Sequence, residues 1–287
     1  MVEEAIDHKT KAIILAHTLG NPYDAEKIST LAKEHNLYLI EDCCDAVGSK
    51  FGGRKVGTFG DIATISFYPA HHMTMGEGGA VLTSNELLKR LAESFRDWGR
   101  DCWCLPGKDD TCKKRFSWKL GDLPFGYDHK YIYSHIGYNL KLLDIQGAIG
   151  LAQLKKLPIF IKRRKENYNF LLQKLEKYSN MLLMPQALSK ADISPFGFPI
   201  TVKESTPFKK NDIVEYLESR GIATRMLFGG NLTKQPAYIG EKFDIVGRLE
   251  NSDIVMNNTF WIGVYPGITN EMLVYIVNCF EDFLGKY

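Results

Sequence analysis

Two adjacent histidines, His71 and His72, stand in the stretch FYPAHHMTMGEGGA, between an aromatic pair and a glycine-rich return into a strand. A buried histidine pair in a turn is often structural, with its ring nitrogens bonded to backbone carbonyls. An imidazole also exchanges protons near neutral pH. The stretch therefore becomes a candidate acid–base site only where other polar side chains converge on it.

Polar residues do follow two of the predicted strands that precede this stretch. Asp42 comes directly after a strand at 37–41, and Ser66 closes a strand at 62–66. Ligands of parallel α/β sheets bind outside the carboxyl ends of the strands. Taken alone, Asp42 could equally be a solvated turn carboxylate. The convergence at strand ends instead predicts one crevice, faced by Asp42, Asp45, Ser66, Tyr68 and His71.

The elements that would position these side chains form an alternating pattern. A short apolar run at 11–16 and the strand at 37–41 enclose DAEKISTLAKEH, whose apolar residues have helical spacing. Strand, helix and strand within about thirty residues indicate a βαβ unit with parallel strands. Further strands are predicted at 62–66 and 80–83, so the fold class is α/β.

The second half of the chain has a different character. Helical periodicity follows residue 140, and Pro158 is predicted to divide it into two long helices. Beyond Ser179, FGFPITV reads as a strand, NDIVEYLESRG as a helix, and a final helix starts near Asn270. We therefore expect a large domain over 1–157, with a cysteine-rich insertion at about 101–138. Residues 158–287 would supply a long helix and a smaller α+β domain.

Composition excludes several classes of function. The 287 residues are 45% hydrophobic and 24% charged, with a net charge of +2, so neither a nucleic-acid nor a membrane partner is indicated. No run of eighteen apolar residues occurs, and the polar start MVEEAIDHKTK is unlike a signal peptide. We expect a cytoplasmic protein, a setting in which disulfides are rare.

Cysteines form a second candidate constellation. Cys102, Cys104 and Cys112 make a C-x-C-x7-C run, while Cys43 and Cys44 adjoin Asp42. Structural zinc sites usually contain C-x2–4-C pairs, so the match to zinc is weak. Four thiolates are the common ligands of iron–sulfur clusters. Spacing alone leaves a cluster, zinc and inert thiols open.

The stretch LIEDCCDAVGSKFGGRKVGTFGDIATISFYPAHHMTMGEGGAVLTSN resembles the DegT/DnrJ/EryC/StrS sugar aminotransferase superfamily, whose pyridoxal-phosphate enzymes act on nucleotide-linked ketosugars. The resemblance implies a type I pyridoxal-phosphate transferase fold and a homodimer. It also implies that Asp42 pairs with the pyridine nitrogen, that Ser66 contacts the cofactor phosphate, and that Asp45 and Tyr68 shape the pocket. Asn139 would reach the phosphate in the neighbouring subunit.

His71 stands where the superfamily has the lysine that binds the cofactor covalently. Histidine cannot form that bond, but it can exchange a proton near neutral pH. The cofactor is therefore expected to be pyridoxamine 5'-phosphate, held non-covalently. Without the lysine that completes a transamination cycle, the replacement favours dehydration over transamination.

This histidine, together with a C-x57-C-x-C-x7-C set, is similar to the CDP-4-keto-6-deoxyglucose 3-dehydrase family. The resemblance implies C3 deoxygenation of a CDP-linked 4-keto-6-deoxyhexose, a step toward dideoxysugars of lipopolysaccharide. An NAD(P)H-dependent iron–sulfur flavoprotein reductase would supply electrons. A [2Fe–2S] cluster would be held by Cys44, Cys102, Cys104 and Cys112. Cys279 has no place in the pattern and is expected in the core.

Members of this family are longer at the N-terminus. We therefore expect the chain to lack the N-terminal part of the fold, including cofactor-wrapping elements and several strands. Two alternatives remain beside the dehydrase. One is a transaminase-like nucleotide-ketosugar enzyme with zinc or nothing at the cysteines. The other is an inactive truncated fragment that acts only in subunit assembly.

Overall fold

The computed structural model describes residues 1–105 and 107–287. The helices are α1 (Ala25–Glu34), α2 (Glu86–Arg96), α3 (Asp144–Leu175), α4 (Lys210–Ser219), α5 (Glu250–Asn258) and α6 (Asn270–Leu284). The strands are β1 (Ala12–Ala16), β2 (Tyr38–Asp42), β3 (Lys50–Phe51), β4 (Arg54–Lys55), β5 (Ile62–Ser66), β6 (Gly79–Leu82), β7 (Leu182–Leu183), β8 (Ala191–Asp192), β9 (Gly197–Val202), β10 (Thr224–Met226) and β11 (Thr259–Gly263).

The first sheet confirms the predicted βαβ unit. Its strand order is β1-β2-β5-β6, with β1, β2 and β5 parallel and β6 antiparallel to β5. The Asp24 side chain caps α1 by accepting from the Lys27 N–H, and Ala32 on this helix packs against Ile13 and Leu39 of the sheet. The carboxyl ends of the three parallel strands therefore lie along one edge.

The smaller domain has its own core. Its antiparallel sheet has the order β10-β11-β9-β7. The second half of α3 packs on this sheet together with α4 and α6, around a cluster that includes Leu171, Phe198, Phe260 and Phe280. Cys279 is buried in the same cluster, as expected. The predicted α+β layer is confirmed.

The predicted interruption at Pro158 is wrong, because α3 runs unbroken from Asp144 to Leu175. A proline inside a helix removes one backbone hydrogen bond and normally bends or ends the helix. Here packing at both ends favours continuation: Gly150 lies against Met75 of the large domain, and Leu171 is buried in the small-domain core. The expected division after residue 157 therefore falls within one helix.

Residues 194–196, which we call the strap, lead into β9 and tie the two domains together. The strap's Ser194 N–H donates to Ser49 Oγ at 2.9 Å, and Ser194 Oγ donates to the Val47 carbonyl at 2.8 Å. The Phe196 N–H donates to the Leu19 carbonyl at 2.9 Å. The strap thus lies against the loops that follow β1 and β2, at the edge where the predicted site residues end their strands.

Large apolar side chains remain exposed on one side of the first sheet and along α2. Leu87 and Phe95 of α2 are exposed, and none of this helix's side chains is buried. Ile14 of β1 and Val81 of β6 are exposed as well. No helix in the described parts of the chain combines the length and hydropathy needed to cross a bilayer.

Candidate active site

The structure places the predicted strand-end residues at one edge of the first sheet. Asp42 is the last residue of β2 and Ser66 the last of β5. Asp42 Oδ1 accepts hydrogen bonds from the Cys44 N–H at 3.0 Å and from the Thr64 hydroxyl at 3.2 Å. Within the described residues, no group donates to Asp42 Oδ2. The carboxylate is thus oriented through one oxygen, and the other is available to a ligand.

His71 lies beside this edge and faces Asp45. Its Nε2 is 3.3 Å from Asp45 Oδ1, and the two side chains are 15% and 14% exposed. Asp45 Oδ2 accepts from the Leu19 N–H at 3.4 Å. The imidazole also packs edge-on against Phe196, with ring centroids 5.0 Å apart. Its Nδ1 is buried and has no hydrogen-bond partner among the described residues, whereas Nε2 faces the Asp45 carboxylate.

His72 occupies a different environment. It is 2% exposed, and its Nε2 lies 2.9 Å from the Ser194 carbonyl of the strap. Burial lowers the pKa of His72 from 6.5 to about 3, and the nearby positive charge of Arg164 acts in the same direction. His72 is therefore a neutral imidazole bonded to backbone, which is the environment of a structural histidine.

The remaining predicted cofactor and pocket residues are only partly brought together. Ser66 Oγ accepts from the Tyr68 N–H at 3.2 Å, and the Tyr68 ring lies 5.8 Å from that of His71. Tyr68 is 50% exposed. Asn139 is exposed and forms a backbone bridge with Asp97. Its predicted role in a neighbouring subunit stays a prediction, because the structure contains one copy of the chain.

A cavity of about 470 Å³ opens beside His71, between the turn at 69–72 and the loop at 263–267. Its walls include Phe196, Trp261 and Arg164. Arg164 is 3% exposed and donates to the carbonyls of Phe196 and Ala70. This volume is in the range of small-molecule sites, and the cavity lies between the two domains, where such sites are common.

Three of the predicted cluster ligands lie in the irregular segment after α2: Cys102, Cys104 and Cys112. All three are partly buried. The Thr111 hydroxyl donates to Cys104 Sγ at 3.1 Å, and this bond is the main reason that the pKa of Cys104 falls to about 7. Burial raises the pKa of Cys102, and the neighbouring thiols of Cys104 and Cys112 add to the effect. The segment therefore contains one thiol that ionises readily.

Cys44, the fourth predicted ligand, lies beside Asp42, with its Sγ 3.8 Å from Thr64 Oγ1. Burial, followed by Asp42, raises its pKa to about 12. Among the described residues, no three of the four predicted thiols lie within 4.8 Å of one another. Tetrahedral zinc with Zn–S bonds of about 2.3 Å needs closer sulfurs, so this arrangement does not form a zinc site. A two-iron cluster divides its ligands between two metal ions, so this limit does not test it.

A buried polar cluster that the sequence reasoning missed lies under the same edge. Glu41, wholly buried, accepts from His17 Nε2 at 3.1 Å and from the backbone N–H groups of Gly57, Phe59 and Gly60 at 2.8, 2.6 and 2.7 Å. Burial alone would raise the pKa of Glu41, but these four hydrogen bonds outweigh it and lower the pKa. The alternation of side chains along β2 could have predicted it. If Asp42 faces the ligand side of the strand, its neighbour Glu41 must point to the opposite, buried face.

Glu41, His17 and Cys43 have ligand atoms within 4.8 Å of one another. A metal would have to displace hydrogen bonds that already occupy both Glu41 oxygens. Burial also raises the pKa of the Cys43 thiol far above its ordinary value, which opposes the thiolate that a metal requires. The cluster is therefore a structural brace that fixes the loop at 57–60 beneath β2.

The geometry of the site edge fits the cofactor implied by the sequence. Asp42 offers an uncommitted carboxylate oxygen at the end of β2, and Ser66 Oγ lies at the end of the next parallel strand. In an α/β sheet, ligands bind at this carboxyl edge of the parallel strands, and the smaller α+β domain lies beside it. The predicted fold class is confirmed by the structural comparison given below.

The chain belongs to the DegT/DnrJ/EryC1/StrS aminotransferase family, whose model matches residues 1–281. It is 54% identical over 285 residues to the lipopolysaccharide biosynthesis protein RfbH of Salmonella typhimurium. It is 53% identical, also over 285 residues, to the dTDP-4-dehydro-2,6-dideoxy-D-glucose 3-dehydratase of Saccharopolyspora spinosa. Each alignment covers 99% of this chain, which spans 65% and 62% of those two proteins.

The fold is also similar to solved structures. An E. coli GDP-4-keto-6-deoxy-D-mannose-3-dehydratase with bound hydrated PLP matches with a TM-score of 0.81 at 29% sequence identity. The match covers 97% of this chain and 69% of that chain. The arrangement of strands, α3 and small domain is thus that of a pyridoxal-phosphate family fold, matched over about two thirds of the solved protein.

Proposed function

We propose that this chain provides the catalytic edge of a nucleotide 4-keto-6-deoxyhexose 3-dehydrase that uses pyridoxamine 5'-phosphate. The observation that carries the proposal is an imidazole, His71, in the turn after β5, with its Nε2 3.3 Å from Asp45 Oδ1 and adjoining the Asp42 edge. A side chain there that exchanges protons but cannot bind the cofactor covalently suits dehydration. The 53% identical relative named as a 3-dehydratase supports the same class of reaction.

Bound pyridoxamine phosphate would supply an amine that condenses with the C4 ketone and a ring that accepts electrons. Asp42 would hold the proton on the ring nitrogen through its free Oδ2, while Cys44 and Thr64 fix the other oxygen. Ser66 would donate to the phosphate. These roles require only binding and orientation from the chain.

His71 would take a proton from the methylene carbon of the cofactor and return it later. Asp45 Oδ1 lies 3.3 Å from His71 Nε2, close enough to favour the protonated ring that forms when the proton is taken. Tyr68 and Phe196 line the imidazole on two sides and limit access of water to it. Charge on the protonated ring would be stabilised by the Asp45 carboxylate, as an orienting carboxylate does for other catalytic histidines.

The substrate is proposed to be a CDP-linked 4-keto-6-deoxyhexose. The relative from Saccharopolyspora spinosa is named for a dTDP sugar, so the nucleotide is the part of the proposal that most needs a direct test. The test supplies pyridoxamine phosphate, NAD(P)H and the flavoprotein reductase with CDP-, dTDP- or GDP-linked 4-keto-6-deoxyhexoses, with glutamate in a parallel set, and follows products by mass spectrometry. Loss of the C3 oxygen, fastest with the CDP sugar, is expected. An amino sugar formed with glutamate as donor would instead support the transaminase alternative.

The cluster is a separate proposal: Cys44, Cys102, Cys104 and Cys112 hold [2Fe–2S] and relay electrons from an NAD(P)H-dependent iron–sulfur flavoprotein reductase. It is supported by the spacing of the cysteines and by the low pKa of Cys104. Anaerobically purified protein should contain iron and acid-labile sulfide and absorb visible light. Zinc without sulfide, in protein offered both metals, would contradict it.

Serine substitutions test the ligand assignment with matched controls. Replacing any of the four proposed ligands should bleach the visible absorption. Cys43→Ser and Cys279→Ser should preserve it, since both thiols are buried and lie outside the predicted set of ligands. Retained absorption in Cys44→Ser with loss in Cys43→Ser would reassign the fourth ligand.

A homodimer in which Asn139 serves the partner's site is proposed for the assembled enzyme. Its exposure, together with the exposed apolar face of α2, supports an interface on this side. Mixed dimers of Asn139→Ala and His71→Asn subunits should recover activity, because one of the two hybrid sites then carries neither change. Absence of recovery in verified mixed dimers would contradict the shared site. A chain that binds no pyridoxamine phosphate would favour the assembly-only alternative.

A further inference from the structure

The His71 imidazole is held by a ring of linked contacts that runs through Asp45, Leu19 and Phe196 and returns to His71. Asp45 Oδ1 lies 3.3 Å from His71 Nε2, and Asp45 Oδ2 accepts from the Leu19 N–H. The Leu19 carbonyl accepts from the Phe196 N–H at 2.9 Å. The Phe196 ring returns to His71, edge to face, at 5.0 Å. The strap therefore presses an aromatic side chain against the imidazole that Asp45 anchors.

Arg164 reinforces this ring of contacts from α3. Its Nη1 donates to the Phe196 carbonyl at 3.0 Å, and its Nη2 donates to the Ala70 carbonyl at 3.4 Å. No carboxylate lies within ion-pair distance of this buried guanidinium in the described residues. Burial lowers its pKa to about 10. Its donors instead bridge the residue before His71 to the residue whose ring contacts His71.

We propose that Phe196 and Arg164 are positioning residues that hold His71 in a single rotamer against Asp45. The contact of the imidazole with the strap is independent of the reaction, whereas its catalytic consequence rests on the function proposed above. Rotation of an imidazole about its terminal torsion is broad and weakly restrained. Asp45 lies at Nε2, and Phe196 packs edge-on at a ring-centroid distance of 5.0 Å, so the two contacts together hold the ring in one orientation.

The first test observes His71 directly, in protein labelled with 15N-histidine and kept at a pH at which the ring is neutral. In a neutral imidazole one nitrogen carries the proton and the other does not, and the Asp45 carboxylate 3.3 Å from Nε2 favours the proton on Nε2. Separate protonated and unprotonated 15N signals are expected for His71, assigned by their loss in His71→Asn. Phe196→Leu should move both signals toward a common average, because the ring then exchanges tautomers.

Phe198→Leu is the matched control, because Phe198 is a buried phenylalanine two residues farther along β9 that packs on Tyr168. It should lower thermal stability about as much as Phe196→Leu and leave the His71 signals unchanged. If Phe196→Leu does not fold, Arg164→Gln carries the same expectation through the other contact. Unchanged His71 signals in the folded variants, averaged signals in the parent protein, or equal displacement by Phe198→Leu would each overturn the proposal.

The second test measures dehydration by the holoenzyme with pyridoxamine phosphate. Phe196→Leu and Arg164→Gln should lower kcat about 10- to 100-fold, the scale of misplacing a catalytic group by about 1 Å, while KM changes little. A raised KM with an unchanged kcat would contradict the positioning of His71. Should the parent protein catalyse no dehydration, the proposed function fails, while the 15N signals still decide whether Phe196 and Arg164 hold the ring.

Discussion

Replacing His71 with asparagine should separate proton transfer from binding. Asparagine cannot exchange a proton near neutral pH, and general acid–base assistance is typically worth ~10²–10⁴ in rate. The strand-end groups Asp42 and Ser66 make their own hydrogen bonds without His71, so cofactor affinity should change little. We therefore expect His71→Asn to lose about two to four powers of ten in dehydration rate with retained binding of pyridoxamine phosphate.

The assay is exchange of the methylene hydrogen of pyridoxamine phosphate with deuterated solvent in the presence of substrate. His72→Asn is the control, because Ser194 keeps its bonds to Ser49 and Val47 when the histidine is lost. It should exchange within a few-fold of the parent rate. Native exchange in His71→Asn combined with loss in His72→Asn would reverse the two assignments and refute the reasoning from the lysine position.

Three further expectations concern stability. Because His72 stays neutral in the fold, with a pKa of about 3 against 6.5, stability should be full above pH 6.5 and fall by about 2 kcal/mol on going to pH 5; urea midpoints should show this slope, and His72→Asn should flatten it. Glu41→Gln should cost about 1–3 kcal/mol at pH 7, because one amide orientation sets its NH₂ group against the Phe59 and Gly60 N–H groups and the other sets it against the Gly57 N–H; a cost below ~1 kcal/mol would contradict the brace. Gly20→Ala should destabilise far more than Gly53→Ala in thermal melts. Both glycines have positive φ, but a Cβ at Gly20 would lie 1.9 Å from the Ser194 carbonyl oxygen, whereas a Cβ at Gly53 meets nothing within 4 Å. Equal losses of stability would mean that only the strained backbone conformation matters, and not the contact with Ser194.

Much of the site edge was predictable because it depends on local pattern. Alternating strand and helix periodicities placed β1, α1, β2 and β5 in order, and parallel strands bring their carboxyl ends to one edge whatever the rest of the chain does. Asp42 and Ser66 are the last residues of β2 and β5, and His71 follows Ser66 by five residues. Their convergence is therefore a consequence of short-range sequence.

Other features required the assembled molecule. Pro158 carries a strong local signal for a break, yet α3 continues because its two halves pack on different domains. Glu41 is one residue from Asp42, but its four hydrogen-bond donors come from a loop sixteen to nineteen residues later and from His17 on the opposite side in sequence. Local periodicity predicts which face of a strand a residue occupies, but it does not predict which distant groups will form hydrogen bonds with that residue.

The sequence by itself determined the α/β alternation of the first domain and placed Asp42 and His71 at or just after strand ends, because these features follow from local pattern. Only the tertiary structure decided how His71 is held. Phe196 and Arg164 are more than ninety residues from it along the chain, and they reach it because α3 and the strap dock the small domain onto the sheet edge. Contacts over such separations arise from the packing of whole elements, which no local pattern records.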